Sequence, residues 1–329
     1  MTIYITLDYE LFFGAKSGTI DNCIIKPTQA LLNIVDPLGI KFTCFVDSGY
    51  LLALEKQKKD HKELQEDYNK VTTQIKQLSQ EGHGIELHVH PHWEDSYYDG
   101  KKWIINTERY KLSDFAQQEI NDIVTRYNEV LHRITGLQTV AYRAGGWSAQ
   151  PFAPIQKALM ANNVLIDSSV YPRGSYTSEN QEFDFREVTP FTTKYQFDDN
   201  LTKEVIGGKF TEIPISSYKV SPLFFWKFAF KKLLKKPKDL PYGDGSAVSM
   251  SKQELIRLLT SFSYSVVSID GYKSSLLKKA FRKYQKHTKN KGEFVLIGHP
   301  KAFTNYSLIK LKQFIEKEYK NHKFLTYRN

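Results

Sequence analysis

Four of the nine histidines of the chain lie within residues 83–92. His88, His90 and His92 alternate, and alternate side chains of an extended strand point to the same face. Neutral imidazole is a preferred zinc ligand, and a catalytic zinc takes three protein ligands of the His/His/carboxylate kind and keeps one position open for water. The spacing therefore predicts a metal site on this strand. His83 precedes the strand and is out of phase, so we expect it to be structural.

Two acidic residues close the first apolar run of the chain. Asp8 and Glu10 are two residues apart, so a strand would present both carboxylates on one face. One carboxylate could bind the cation while the other serves as general base to a water whose pKa the metal lowers. The pattern leaves open which residue takes which role, and an exposed acidic strand end is the alternative interpretation.

Short β-branched and aromatic runs alternate with longer helical patterns, which is typical of βαβ units and a parallel sheet. We predict eight strands, at 2–8, 41–46, 84–90, 139–143, 164–167, 209–216, 294–298 and 323–327. Helical patterns lie between them, near 26–36, 50–80, 112–135, 150–162, 251–262, 272–288 and 304–321. Eight strands are the number of an α/β barrel.

The residues that could do chemistry follow these strands. Asp8 and Glu10 end the first strand, and His88 ends the third. Arg143, Asp167 and His299 end three further strands in the same way. Active sites of parallel α/β barrels are built at the carboxyl ends of the strands. We therefore expect one shared site at that end.

The ordered segments TLDYE, GHGIELHVHPH, YRAGGW, IDSSVYP and VLIGHP resemble the motifs of the polysaccharide deacetylase family, also called NodB-homology or carbohydrate esterase family four. The Asp-x-Glu form of the first motif is most similar to the WbmS-like branch, which is associated with bacterial surface glycans. The resemblance implies a distorted (β/α) barrel of the NodB type. It implies one catalytic domain over 1–329, with an aromatic and basic insertion at about 173–250.

The resemblance also implies the metal site. Asp8 would be the catalytic base and Glu10 a ligand, with His88 and His92 completing the site in the family's His-x-x-x-His spacing. His90 is left over, either beside the site or as an alternative ligand. One divalent ion is expected, and the ligand types favour zinc, although iron, cobalt or manganese would also suit them.

Three further roles follow from the resemblance. Arg143 would orient the base, because its planar fork suits a carboxylate, and Asp167 would hold the catalytic histidine. His299 would be the general acid that protonates the leaving amine, since histidine titrates near neutral pH. Outside the resemblance, a solvated Arg143, a turn-forming Asp167 and a structural His299 are the alternatives.

The third motif departs from the family pattern of arginine, any residue and proline. It reads Arg-Ala-Gly-Gly-Trp from position 143, and Val89 replaces the usual hydroxyl residue after the first metal histidine. Gly146 could supply the backbone N–H that helps to hold the oxyanion. Trp147 could stack on a sugar ring or pack in the core. These departures bear on the geometry of the substrate rather than on the metal site.

Composition limits the partners. The chain has 329 residues and a formal net charge of +10, so nucleotide sugars, lipid phosphates and anionic membranes are plausible partners. A nucleic acid is not expected, because no reading motif accompanies the basic residues. Only two cysteines occur, Cys23 and Cys44, so a cysteine-rich metal site is excluded. The first residues lack the features of a secretory signal, and a cytoplasmic location is expected.

Residues 222–238 interleave aromatic side chains with Lys227, Lys231, Lys232, Lys235 and Lys236. This composition is typical of a helix that lies at a membrane interface. The alternative is an ordinary helix that packs its aromatic side chains on the barrel. The first interpretation would place the protein at the periphery of the inner membrane face.

Taken together, the residues and the resemblance predict a metal-dependent N-deacylase, specifically an N-deacetylase. Its substrate would be a nucleotide- or lipid-linked acylated amino sugar in bacterial O-antigen or capsule synthesis. Two alternatives are a catalytically inactive glycan- or membrane-binding module on the same scaffold and a metal-dependent phosphoesterase. The latter class generally carries its His-x-His pair on the first strand, whereas the pair here is on the third.

Overall fold

A computed structural model describes residues 1–234, 236–248 and 251–329 of the chain. Lys235, one of the six lysines of the segment 222–238 that was predicted to form an interfacial helix, lies outside the described residues, as do the last two residues of the predicted insertion. Among the described residues, no helix combines the length and the apolar character that crossing a bilayer requires.

The described residues contain fifteen strands and nine α-helices. The strands are β1 (Thr2–Tyr9), β2 (Thr43–Asp47), β3 (Gly84–Val89), β4 (Tyr97–Tyr98), β5 (Trp103–Ile104), β6 (Ala141–Ala144), β7 (Ile166–Asp167), β8 (Ser175–Thr177), β9 (Glu182–Asp184), β10 (Tyr195–Phe197), β11 (Phe210–Glu212), β12 (Ser217–Val220), β13 (Ser263–Val266), β14 (Glu293–Gly298) and β15 (Lys323–Phe324). The helices are α1 (Lys26–Val35), α2 (Ser48–Gln57), α3 (Lys62–Gln80), α4 (Gln117–Thr135), α5 (Ala153–Ala161), α6 (Pro222–Leu234), α7 (Lys252–Thr260), α8 (Leu277–His287) and α9 (Asn305–Glu318).

One curled sheet of nine strands forms the centre of the molecule. Its strand order is β10-β11-β7-β6-β3-β2-β1-β14, and β15 also pairs with β1. All pairs are parallel except β10 with β11. Every one of the eight predicted strand runs contributes to this sheet, which confirms the predicted (β/α) barrel class. The positions of these strands could be predicted from the sequence because strands buried on both faces form nearly continuous apolar runs.

The run predicted as a strand at 209–216 does more than form β11. Beyond Glu212, the N–H of Ile213 donates to the carbonyl of Asp167 at 2.9 Å. The N–H of Ser216 then donates to Val295 of β14 at 3.1 Å. This segment therefore links the β7 side of the curled sheet to β14 at the opposite side.

The helix predicted at 50–80 is two helices, α2 and α3. Asp47 caps the first, since its side chain accepts a hydrogen bond from the N–H of Tyr50, and the chain leaves the helix at the polar residues 58–61. The second has an apolar face that is buried and a long polar face that is exposed. The break could not be read from periodicity, because the polar residues at 58–61 also suit a helix surface.

The floor of the barrel, at the amino ends of the strands, is closed by residues 323–329. The ring of Tyr327 lies against Tyr4 and Phe45, with centroids 5.1 and 5.3 Å away. Its hydroxyl is 2.8 Å from the hydroxyl oxygen of Ser168, inside the barrel. Arg328 pairs with the buried carboxylate of Glu86 at 2.9 Å. Tyr327 is therefore part of the core.

Candidate metal centre and active site

The parallel pairing of the strands brings the predicted site residues to one end of the barrel. Glu10 follows β1 and His88 lies near the end of β3, with β2 between these two strands. One ligand atom from each of Glu10, His88 and His90 lies within 4.8 Å of the others. The side chains of all three are buried. The structure therefore brings these residues together at the end of the barrel where the strand ends predicted a shared site.

The protonation of His88 is set by its neighbours. Its Nδ1 lies 2.9 Å from the backbone carbonyl of Arg143. A carbonyl can only accept, so Nδ1 carries a proton and Nε2 faces Glu10 Oε2 at 3.3 Å. Burial alone would lower the pKa of His88, but the charges of Asp8 and Glu10 raise it above its usual value. This orientation is the one that a metal-ligating histidine usually has.

Glu10 is ionised in this environment. Burial alone would raise its pKa, but Lys301 and His90 hold the pKa well below its usual value. The Lys301 ammonium donates to Glu10 Oε1 at 2.8 Å and also to the carbonyl of Leu11. One carboxylate oxygen is therefore occupied by the lysine, and the other faces the two histidines.

The donor set fits a divalent cation. His90 Nε2 is 2.6 Å from Glu10 Oε2, yet neither nitrogen of His90 makes a hydrogen bond among the described residues. Both nitrogens of fully buried His92 also lack a hydrogen-bond partner there. Burial lowers the pKa of His92 well below its usual value, so this ring is neutral. Buried polar atoms without partners are costly, and a cation would satisfy one nitrogen of each ring that binds it.

The structure thus groups His90 with Glu10 and His88, whereas the motif resemblance implies His92. The two rings are adjacent, with centroids 5.2 Å apart. Phe13 lies against both, at 4.4 Å from His90 and 4.6 Å from His92. Phe13 thus packs on both candidate rings for the third ligand nitrogen.

Asp8 is held by Arg143. The guanidinium Nη1 donates to Asp8 Oδ1 at 2.6 Å and to the Thr6 hydroxyl at 3.0 Å. Its Nε and Nη2 donate to the carbonyl and the hydroxyl of Ser168, at 2.9 and 3.0 Å. Arg143 is fully buried, and these four bonds fix the plane of its fork. The free Oδ2 of Asp8 is left facing His299 Nε2 at 3.5 Å.

Asp270, and not Asp167, holds His299. Asp270 Oδ2 lies 2.8 Å from His299 Nδ1, and Oδ1 accepts from the His299 backbone N–H at 2.7 Å. Burial alone would lower the pKa of His299, but Asp270 raises it above its usual value. The role predicted for Asp167 was therefore wrong.

Asp167 serves the neighbouring strand instead. Its two oxygens accept from the backbone N–H and the hydroxyl of Ser169, at 2.8 and 3.0 Å. The Ser169 oxygen in turn accepts from the N–H of Ala144 at 2.9 Å. Because β7 pairs with β6, the end of β7 lies beside the third motif, which follows β6. Asp167 thus supports the segment that leads to Gly146.

The third motif forms a tight turn at the site. Gly146 has φ 57°, and its carbonyl accepts from Gln181 Nε2 at 2.6 Å. A Cβ at this position would lie 2.6 Å from the Tyr110 hydroxyl. Trp147 packs edge-on against Tyr171 and Phe183, with centroids 5.2 and 5.7 Å away, so its ring is in contact with aromatic side chains of the protein. The glycine is required both by φ and by space.

Sequence reasoning missed Asp270, Lys301 and Tyr110. Asp270 ends the β-branched run SYSVVSID and precedes a glycine, which is the same strand-end signal that identified Asp8. Lys301 and Tyr110 carry no such signal. The Tyr110 ring lies parallel to that of His92 at 5.8 Å, a contact between distant segments that only the fold creates.

No family model and no curated protein matched the sequence. Solved structures did match over 99% of the chain. A protein named as a polysaccharide deacetylase from Mycobacterium smegmatis has 16% identity and a TM-score of 0.52, with 87% of its own chain covered. Puue allantoinase has 12% identity and a TM-score of 0.51, also with 87% covered. A protein named as a polysaccharide deacetylase from Pseudomonas aeruginosa PAO1 has 11% identity and a TM-score of 0.50, with 88% covered. The chain therefore has the fold of solved polysaccharide deacetylases, as the motif resemblance implied.

Proposed function

We propose that the protein is a metal-dependent N-deacylase, specifically an N-deacetylase, that acts on an acylated amino sugar. One observation carries this proposal. The unpaired oxygen of Asp8 and Nε2 of His299 are 3.5 Å apart, and Glu10 and His88 lie beside them. The proposed base, the proposed acid and the proposed metal ligands thus meet at the carboxyl ends of parallel strands, and two of the three neighbours in fold described above are deacetylases by name.

A divalent cation, in the first instance zinc, would be held by Glu10, His88 and a third nitrogen, from His90 or His92. Bound there, it would polarise the amide carbonyl and lower the pKa of water. Asp8, fixed through Oδ1 by Arg143, takes the proton of the attacking water on its free oxygen. The backbone at Gly146 is proposed to donate to the oxyanion, and Trp147 is proposed to border the sugar.

His299 then delivers a proton from Nε2 to the departing amine, since its Nδ1 is tied to Asp270. At the end of the reaction Asp8 has gained a proton and His299 has lost one. Transfer of one proton from Asp8 to His299 therefore returns both groups to their starting states. The 3.5 Å separation between Asp8 Oδ2 and His299 Nε2 supports this shared role.

The finer parts of the proposal concern the substrate and its location. We propose a nucleotide- or lipid-linked amino sugar of O-antigen or capsule synthesis, handled at the inner membrane face, where 222–238 contacts anionic lipid. The single-domain arrangement with an insertion at about 173–250 and the WbmS-like branch remain part of this proposal. The net charge of +10 supports an anionic carrier in either case.

Incubation with N-acetylated and N-formylated nucleotide sugars and lipid-linked sugars, followed by mass spectrometry, tests the activity. Loss of roughly 42 or 28 mass units would identify the acyl group. Asp8→Asn is expected to lower kcat by about 10²–10⁴-fold and to retain bound metal, because the base is not a ligand. Turnover like that of the wild type in Asp8→Asn would contradict the mechanism. Metal binding without turnover of any acylated sugar would instead support the inactive module.

A further inference from the structure

The outer face of α6 is apolar. Leu223, Trp226, Phe230 and Leu233 follow one another at intervals of three or four residues, so they share one side of the helix. Their exposed fractions are 66, 56, 61 and 79%. A helix on a globular protein normally turns such a stripe toward the core. Here no described residue of α6 is buried, so the stripe faces away from the protein.

The opposite side of α6 attaches the helix to the barrel. Phe224 stacks on Tyr272, with centroids 5.4 Å apart and planes 12° from parallel. The Lys231 ammonium lies over the rings of Tyr272 and Tyr306, at 4.5 and 4.2 Å from their centroids. Phe224 and Lys231 thus attach one side of α6 to the barrel, and the apolar stripe on the other side faces outward.

The second helix, α7, continues the exposed surface. The indole N–H of Trp226 donates to the carbonyl of Leu259 at 3.0 Å and so joins the two helices. Ten of the seventeen large apolar side chains that are exposed among the described residues lie between 223 and 262. We call the α6–α7 face the surface formed by Leu223, Trp226, Phe230, Leu233, Leu255, Ile256 and Phe262. An exposed apolar concentration of this kind marks an interaction site.

The charge around the α6–α7 face identifies its partner. Residues 222–238 contain six lysines and no acidic residue. Lys227, Lys232, Lys236 and Lys238 are exposed on or just after α6. Aromatic and leucine side chains enter the boundary between headgroups and acyl chains, while lysines attract anionic lipid at about 1 kcal/mol each. Two-fold pairing of two copies would place these like charges against each other.

The position of the face relates it to catalysis. Tyr272, on which α6 rests, lies two residues after Asp270, the partner of His299. We propose that the α6–α7 face docks on an anionic bilayer and brings the Asp270 side of the site to the lipid surface. This inference rests on the proposed function for its biological meaning, and it extends the proposed membrane contact from 222–238 to both helices.

Co-sedimentation of the full chain with vesicles tests the inference. Phosphatidylcholine alone is compared with mixtures containing phosphatidylglycerol, at low and high salt. We expect binding only to the anionic vesicles, weakened by salt. Lys227→Gln with Lys232→Gln should weaken binding about 25-fold, from about 1 kcal/mol per lysine. Trp226→Ser with Phe230→Ser should weaken it at least about tenfold.

Matched controls come from the same chain. Ile206 is 97% exposed but lies outside the α6–α7 face, and Lys312 is an exposed lysine of α9. Ile206→Ser and Lys312→Gln should bind vesicles like the wild type. A nitroxide label on Phe230→Cys should be shielded by vesicles and one on Ile206→Cys should not. Both native cysteines are buried, which favours labelling at the introduced site.

Two outcomes would overturn the inference: no binding to anionic vesicles, or binding that the face variants do not change. If light scattering showed a dimer that dissociates in the Trp226→Ser variant, the partner of the face would instead be a second copy of the chain. Vesicle binding does not depend on turnover. Asp8→Asn should therefore dock normally, so failure of the proposed activity and failure of docking can be distinguished.

Discussion

Asp270 holds His299 through two hydrogen bonds, one to Nδ1 at 2.8 Å and one to the backbone N–H at 2.7 Å. The carboxylate thereby fixes both the ring orientation and the nitrogen that carries the exchangeable proton toward Asp8. Burial alone would raise the pKa of Asp270, but the neighbouring His299 lowers it below its usual value, so the pair is charged. Asp270 therefore holds His299 in the position and the charge state that a general acid needs.

We expect Asp270→Asn to lower kcat by about 10²-fold, because the ring loses its orientation and its anionic partner. Metal content should be unchanged, since Asp270 is not among the ligands. The double variant with His299→Gln should be no slower than His299→Gln alone, because residues that act as a unit are not additive. Additive losses measured in steady-state kinetics would contradict the dyad.

The third ligand can be decided by metal titration. The described side-chain positions predict that His90→Gln lowers the metal affinity by 10²-fold or more, about the loss expected of a ligand, and that His92→Gln costs about tenfold. The reason is that His90 Nε2 lies beside Glu10 Oε2, whereas His92 is outside the group. Isothermal titration of each variant with zinc measures both values. The reverse order would assign the ligand to His92, as the motif spacing implies.

Gly146 and Gly39 form a matched pair. Both have positive φ, at 57° and 65°. Alanine at either position should cost about 1 kcal/mol of unfolding free energy for the backbone alone. Gly146→Ala would also meet Tyr110 and Gln181, whereas nothing lies within 4 Å of a Cβ at Gly39. We therefore expect only Gly146→Ala to impair turnover, and equal activity of the two variants would refute a role of this turn in the site.

Stability should fall on acidification because of His83. The ring is buried, its Nδ1 accepts from the Phe42 N–H at 3.2 Å, and burial lowers its pKa from 6.5 to about 4. Below its ordinary pKa the unfolded chain binds a proton that the folded chain does not, so this contribution is lost as the pH falls from about 6.5 to about 4.

Between about pH 8 and about pH 5 the loss should be roughly 2 kcal/mol. Urea unfolding of the wild type at both pH values gives the dependence, and His83→Gln should remove this part of it. His132→Gln, on the exposed side of α4, is the control and should keep the dependence of the wild type. An unchanged dependence in His83→Gln would show that other groups are responsible.

Local pattern was sufficient for eight of the nine strands of the sheet, all except β10, and for part of the site. Buried parallel strands are apolar throughout, so their positions and the residues at their carboxyl ends could be read directly. On this basis the sequence predicted that Glu10, His88 and Arg143 share one end of the barrel. Asp167 was assigned wrongly because motif order does not say which strands are neighbours. Residues 267–269, which follow β13, run beside β14 and bring Asp270 to His299, and this path depends on tertiary packing.

The attachment of Tyr327 has a practical meaning for handling the protein. Its hydroxyl touches Ser168, and Ser168 also holds the guanidinium that fixes Asp8. A protease that removed residues 323–329, or a tag that displaced them, would disturb the site from the floor of the barrel. The residues around the metal ligands would all still be present. Loss of activity in a trimmed preparation should therefore be checked by intact mass before it is blamed on missing metal.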